Sequence, residues 1–167
     1  MNNSDFVIRE FRPSDADACF RIRSAGFIRK FYDYIGPDMV TALVNSYLPS
    51  DYVRMSQSMQ WLVCEQDGEV VGFSAIDFPD DTTAEILFLY VRTDRHGRGI
   101  GSRLLDAARA WLRAHRPELR QLVLETVVPG YNKAFYEKHG FTVAGQQTCI
   151  RDGMKIPSVV MSRQLSP

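Results

Sequence analysis

The sequence predicts an α/β protein of the α+β type, a mixed and mostly antiparallel sheet of about seven strands with helices on both faces. Three observations predict it. Two apolar runs, 61–65 and 70–76, flank Asp67-Gly68, the dipeptide of a tight hairpin. The run Ile86-Leu87-Phe88-Leu89-Tyr90-Val91 is apolar on both faces, as in a covered central strand. A glycine-rich turn, a helical pattern and a new apolar run at 121–126 follow it, which is a β-α-β crossover. Two last runs, 141–149 and 159–165, read as a closing antiparallel pair.

In chain order, residues 6–11 form a first strand closed by Arg12-Pro13. Ser14, with Asp17 three residues on, resembles a capping box, and the helix it opens carries Ala18, Ile22, Ala25 and Ile28 at helical spacing. Gly36-Pro37 breaks the chain before a helix at 39–47 and a shorter one at 49–58. The hairpin comes next, then a polar turn from Asp77 to Thr82 that leads into the central strand. After that strand, Arg92-Thr93-Asp94-Arg95 turns the chain into the glycine loop. The long helix beyond puts Ile100, Leu104, Leu105, Ala108, Trp111 and Leu112 on one face, with Arg103, Asp106, Arg109 and Arg113 on the other. Arg116-Pro117-Glu118 ends it. Pro129-Gly130 punctuates before a short helix holding Tyr136, and Gly140 stands where a left-handed cap belongs. No repeat, low-complexity tract or linker breaks the pattern, so 1–167 reads as one domain.

Composition narrows the class. Twenty basic and twenty acidic residues cancel, which gives no footprint for nucleic acid or an anionic membrane. The start of the chain lacks a basic stretch followed by an apolar one, and no apolar run reaches the ~18 residues of a membrane span. Cys19, Cys64 and Cys149 are odd in number, far apart and free of C-x-x-C spacing. Reduced, buried thiols in a cytoplasmic protein are expected rather than disulfides or a metal site.

The order strand, glycine loop, helix suits an anion. Glycines let the backbone approach a ligand, and a helix start offers unpaired N–H groups at a positive dipole end. Two familiar phosphate loops fail on spacing. A Walker loop needs Gly-Lys, which occurs nowhere in the chain. A dinucleotide fingerprint needs a third glycine where Ser102 stands, and its acidic ribose partner matches neither Glu118 nor Glu125.

His96-Gly97-Arg98-Gly99-Ile100-Gly101 instead resembles Q/R-x-x-G-x-G/A, the acyl-CoA signature of the GNAT superfamily of N-acetyltransferases, with His96 in place of the usual Gln or Arg. Further stretches carry the same resemblance. Ala84-Glu85-Ile86 opens a strand similar to the family's central one, and Ala134-Phe135-Tyr136-Glu137-Lys138-His139-Gly140-Phe141 is similar to its second motif. One helix and one strand separate the two motifs, as in the family.

The resemblance implies an acetyl-CoA-dependent N-acetyltransferase that needs no metal. Its amine acceptor is a small molecule, a polyamine or a peptide amine, and the protein is a monomer or homodimer. It implies that the amides from Gly97 to Ser102 cradle the pyrophosphate with Arg98 beside them, and that the backbone of Leu89 and Val91 pairs with the pantetheine arm along an edge opened by splaying. Tyr136 becomes the general acid, since a phenol stays protonated at neutral pH and can protonate a leaving thiolate. Its alternative is an aromatic anchoring a short helix. Asn132 has two readings, cofactor contact and helix cap. The family's usual asparagine position is occupied by Pro129. Glu85 is the implied base for an acceptor ammonium, against a carboxylate at a solvated strand end. Phe27, Phe31, Tyr32, Tyr34, Tyr47 and Tyr52 border the implied acceptor site, with core packing expected for most. No cysteine adjoins either motif, so direct attack of the amine in a ternary complex is expected. A non-catalytic acyl-CoA sensor on the same fold is the competing function.

Overall fold

In the computed structural model, which describes residues 6–127, 132–151 and 153–165, one seven-stranded sheet runs through the molecule. The elements are β1 (Val7–Glu10), α1 (Ala16–Ile35), α2 (Pro37–Asn45), α3 (Pro49–Met55), β2 (Gln60–Gln66), β3 (Glu69–Asp77), β4 (Thr83–Val91), α4 (Ile100–His115), β5 (Gln121–Val127), α5 (Lys133–Lys138), β6 (Thr142–Arg151) and β7 (Met154–Gln164). The strand order is β1-β2-β3-β4-β5-β7-β6, and only β4 and β5 pair in parallel.

Alternation along the strands feeds two cores. Leu62, Cys64, Ile86, Leu122 and Leu124 meet the apolar stripe of α4, where Ile100, Leu104, Leu105, Ala108 and Leu112 are buried as the helical spacing requires. Trp61, Val63, Phe73, Ala75 and Phe88 point the other way, onto Ala16, Cys19, Ile22 and Tyr52 of the N-terminal helices. Helices therefore cover both faces. At the β2–β3 hairpin, Asp67 and Gly68 both take positive φ, 54° and 78°, the turn whose twist matches that of paired strands.

Three local expectations give way. The cap of α1 is not Ser14 with Asp17. The Asp15 carboxylate accepts the Arg12 N–H at 2.7 Å and two guanidinium bonds from Arg9, at 2.8 and 3.0 Å. The buried face of α1 is Cys19, Ile22, Arg23 and Phe31, while Ala25 and Ile28 face solvent. The last strand starts at Met154 rather than at 159. It passes through Pro157, which lies opposite Thr148 of β6, and the described pairing with β5 begins at Ser158. Cys19 and Cys64 are free and buried; the Cys149 side chain and the Pro129-Gly130 break lie outside the described residues. Among the described residues no helix is long and apolar enough to cross a membrane.

What positions the site is a fork in the sheet. β4 and β5 pair only over Thr83–Ile86 and Gln121–Leu124. Beyond that, β4 stays with β3 as far as Val91, and β5 stays with β7 as far as Val127. The division begins at an irregularity in the β3–β4 ladder: Ile76 faces Ile86 and Ala75 faces Phe88, so Leu87 is the extra residue of a bulge. A bulge bends and twists its strand, which turns the end of β4 away from β5.

Candidate active site

On leaving β4 the chain makes a short 3-10 turn, Thr93–Arg95, and enters the glycine loop. Gly97 and Gly99 have φ of 75° and 77°, and a side chain at either would meet nothing within 4 Å. Glycine is required there by backbone conformation, and the space above the backbone is open. Gly101 lies where α5 packs against the first turn of α4: a Cβ on it would make ordinary contact with the Phe135 ring at 3.4 Å. The first intrahelical bond of that turn runs from the Arg103 N–H to the Gly99 carbonyl at 3.0 Å. The N–H groups of Ile100, Gly101 and Ser102 thus lie at the helix start, where no intrahelical acceptor exists. Buried Ile100 anchors the loop, and Arg98 is exposed at its tip. His96 reaches back, and its Nε2–H donates to the Val91 carbonyl at 2.9 Å. Ser102 shares a 3.0 Å hydrogen bond with His139 Nε2.

The fork exposes one edge of β4. The Arg92 N–H bonds the Val71 carbonyl at 2.8 Å, so Arg92 and Tyr90 turn their backbone groups toward β3. Alternation then turns those of Leu89 and Val91 to the opposite side, where β5 has diverged. An extended ligand arm finds strand-type donors and acceptors at that edge, one of which, the Val91 carbonyl, already accepts from His96.

Tyr136 lies on α5, its ring half-buried between Phe135 and Phe141 at centroid distances of 5.1 and 5.9 Å. Burial, reinforced by Tyr90, pushes its phenol up to about 12, so it holds its proton throughout the physiological range. Gly140, at φ 80°, ends the helix, and Arg163 donates to the His139 carbonyl behind it. Asn132 is exposed at the start of α5, and its Oδ1 accepts the Phe135 N–H at 3.2 Å. The structure therefore gives Asn132 the capping bond, and among the described residues its amide N–H donors meet no acceptor. Pro129, at the alternative asparagine position, lies outside the described residues.

A cleft of about 180 Å³ opens where β4 and β5 separate, walled by α1 and the end of α2. Glu85 and Glu125 face it from the two strands. Burial raises the Glu85 carboxyl above its ordinary value, and the neighbouring carboxylates of Asp77 and Glu125 add to the shift. Asp77 sits directly across the β3–β4 ladder, and Glu125 accepts the Ser158 hydroxyl at 2.6 Å. Four of the six aromatic residues pack in the apolar clusters, as expected for most of them. Phe27, Phe31 and Tyr47 line the cleft, Tyr52 is core, and Tyr32 and Tyr34 are exposed. Sequence reasoning missed Arg23, Lys30 and Glu125, all of which line the cleft. The signal for Arg23 was its place on the inward stripe of α1, four residues after Cys19 and four before Phe27.

These parts are of the kind an acyl-CoA needs: an open anion cradle, an exposed strand edge and a phenol that holds its proton. Among the described residues no cluster of His, Cys, Asp or Glu is built to hold a metal ion.

Comparison with known proteins agrees with this geometry. Residues 57–143 match the model of the acetyltransferase (GNAT) domain family. A mycothiol acetyltransferase of Beutenbergia cavernae is 37% identical over 89 residues, which are 51% of this chain; the match spans 29% of that relative's length. In three dimensions the chain is similar to a GCN5-related N-acetyltransferase from Rhodopseudomonas palustris (TM-score 0.80, 20% identity, 99% of each chain). It is also similar to the PaiA N-acetyltransferase of Thermoplasma acidophilum, solved in complex with coenzyme A (TM-score 0.77, 17% identity, 96% of this chain and 99% of that one). At these identities the structural likenesses establish the fold.

Proposed function

Since the chain belongs to the GNAT acetyltransferase family, we propose that it transfers the acetyl group of acetyl-CoA to a primary amine by direct attack in a ternary complex. The observation that carries this reading is the fork: the exposed edge of β4 borders a cleft lined by two carboxylates, and the glycine loop follows directly on that strand.

The amides of Gly97 to Ser102, with His96 holding the loop to Val91 and Arg98 beside it, receive the pyrophosphate. Leu89 and Val91 take the pantetheine arm along the strand edge, with Asn132 placed to add a donor. Bound there, acetyl-CoA supplies a thioester whose carbonyl carbon is the electrophile.

Glu85 takes a proton from the acceptor ammonium, directly or through water. Its raised affinity for protons makes it a better base than an ordinary glutamate. The freed amine forms the new N–C bond as the C–S bond breaks, its nitrogen gives up a second proton to solvent to become the amide, and Tyr136 delivers the proton that the leaving thiolate needs. The phenol is regenerated as the proton count closes through solvent. Burial pushes the Cys64 thiol up to about 11 and raises the Cys19 thiol too, so neither supplies a thiolate for a covalent acetyl-enzyme. Free buried thiols also fit a reducing cytoplasm.

The test is release of CoA thiol from acetyl-CoA across a panel of primary amines, beside calorimetric binding of CoA. Turnover with any amine supports transfer. Tight CoA binding with no turnover on any of them would make the protein a sensor on this fold.

A further inference from the structure

Arg23 is buried to 3% exposure in the wall of the acceptor cleft. Its guanidinium donates to the Val44 and Leu43 carbonyls at the end of α2, each at 3.2 Å. It lies over the rings of Phe27, Tyr47 and Phe88, with 4.9, 5.3 and 5.5 Å to the centroids. Its Nε–H has no partner, and among the described residues no carboxylate pairs with it. Helix-end carbonyls and ring faces offer partial charges; none cancels a whole one. A buried, unpaired cation with a spare donor is costly to keep, and a planar fork of N–H groups matches a carboxylate better than any other common group.

The opposite charge is on the strands that border the same cleft. Glu85 and Glu125 stand on the strands where they separate, and the carboxylates acting on Glu85 are Asp77 and Glu125. Arg23 instead acts on the hydroxyls of Tyr52 and Tyr90. Lys30, seven residues after Arg23 on the same helix, adds a second cation to the α1 wall. The cleft is thus basic along α1 and acidic along the fork. At about 180 Å³ it is also smaller than the ~300–1,000 Å³ of drug-sized sites.

We propose that the acceptor is a small zwitterion, a free amino acid or a close analogue, whose carboxylate binds Arg23 while its amine lies against Glu85 and Glu125 at the acetyl-transfer edge of β4. This deepens the N-acetyltransferase reading and rests on it. A polyamine carries no carboxylate, and a peptide N-terminus carries none on the carbon that bears its amine.

The test compares each amino acid with the amine left when its carboxyl is removed: leucine with 3-methylbutylamine, methionine with 3-(methylthio)propylamine, phenylalanine with phenethylamine. With acetyl-CoA and the unmodified protein, the preferred acid should exceed its amine by about 10²-fold in kcat/KM, the scale of a charge-assisted pair to a buried cation. Arg23→Gln should bring that ratio within about threefold while leaving acetyl-CoA affinity unchanged. Because the ratio on the unmodified protein decides by itself, a variant that fails to fold does not rescue the proposal. Amines acetylated as well as their parent acids, or polyamines preferred to both, would overturn it and leave N-acetyl transfer standing. If nothing is acetylated, the transfer reading fails, and thermal shift of the CoA-bound protein judges the cleft. Stabilisation by an amino acid and not by its amine keeps the carboxylate site; no stabilisation by any amino acid removes it.

Discussion

The two halves of the site are built in different ways. The proposed cofactor half is nearly continuous in the chain: Leu89 and Val91 end a strand, His96 to Ser102 follow at once, and Asn132 and Tyr136 come from the short helix further on. The acceptor half draws Arg23 and Lys30 from α1, Tyr47 from beyond α2, Glu85 from β4 and Glu125 from β5. The first half is dictated by local backbone chemistry, positive φ at two glycines and a helix start. The second exists only because a bulge at Leu87 separates two strands and α1 lies over the gap. A local site tolerates change elsewhere in the fold, whereas an assembled one responds to every element that borders it.

The comparison is sharpest at Tyr136, which we propose protonates the leaving thiolate between the two halves. Tyr136→Phe keeps the ring packing on Phe135 and Phe141 and removes the proton, so kcat should fall about 10²–10⁴-fold with acetyl-CoA affinity unchanged by calorimetry. A rate within twofold of the parent would return Tyr136 to a packing role.

Glu85→Gln should touch the acceptor half alone. We expect kcat/KM to drop about 10²-fold near neutral pH and to recover in part as the pH rises, because the amine then arrives deprotonated. A pH–rate profile that overlays the parent's would place the base elsewhere.

Gly99→Glu should touch the cofactor half alone. It forces a side chain into φ 77° and sets a carboxylate in the anion cradle, so acetyl-CoA affinity should weaken about 10–100-fold while the KM for the amine stays put. Unchanged affinity would show that the phosphates bind elsewhere. His96→Ala removes one hydrogen bond, worth about 0.5–1.5 kcal/mol, and should weaken acetyl-CoA binding by no more than about tenfold.

The smallest effect is on stability. The folded Glu85 binds its proton more tightly than an unfolded glutamate, so its contribution to folding is complete below the ordinary value near ~4.3 and is lost as pH rises through the raised one. Glutamine never charges against Asp77 and Glu125. Glu85→Gln should therefore melt higher than the parent at pH 7 to 8 and lose that advantage below pH ~4.3, as scanning calorimetry would read. A variant melting lower at pH 7 would mean that the carboxylate makes a net stabilising contact.

The α4 face was legible because six apolar positions repeat at helical spacing and all but Trp111 are fully buried. The hairpin was legible because Asp-Gly accepts the positive φ that its turn demands. On α1 the same reasoning followed Ala25 and Ile28, and the helix turned Cys19, Arg23 and Phe31 inward instead. Small apolar residues bind weakly to either side of a helix. The packing of Gly26 and Phe27 on Tyr90 sets its rotation, and no local pattern records that.

The sequence by itself determined the sheet-and-helix order, the glycine loop with its dipole-facing amides and the place of the tyrosine helix, because φ preferences, capping and apolar period act over a few neighbouring residues. Tertiary structure alone decided where β4 leaves β5, which carboxylates share the opening, and that an arginine is buried over it without a counter-charge. Those follow from long-range packing of segments far apart in the chain, where the energy of each contact depends on neighbours that the sequence does not place side by side.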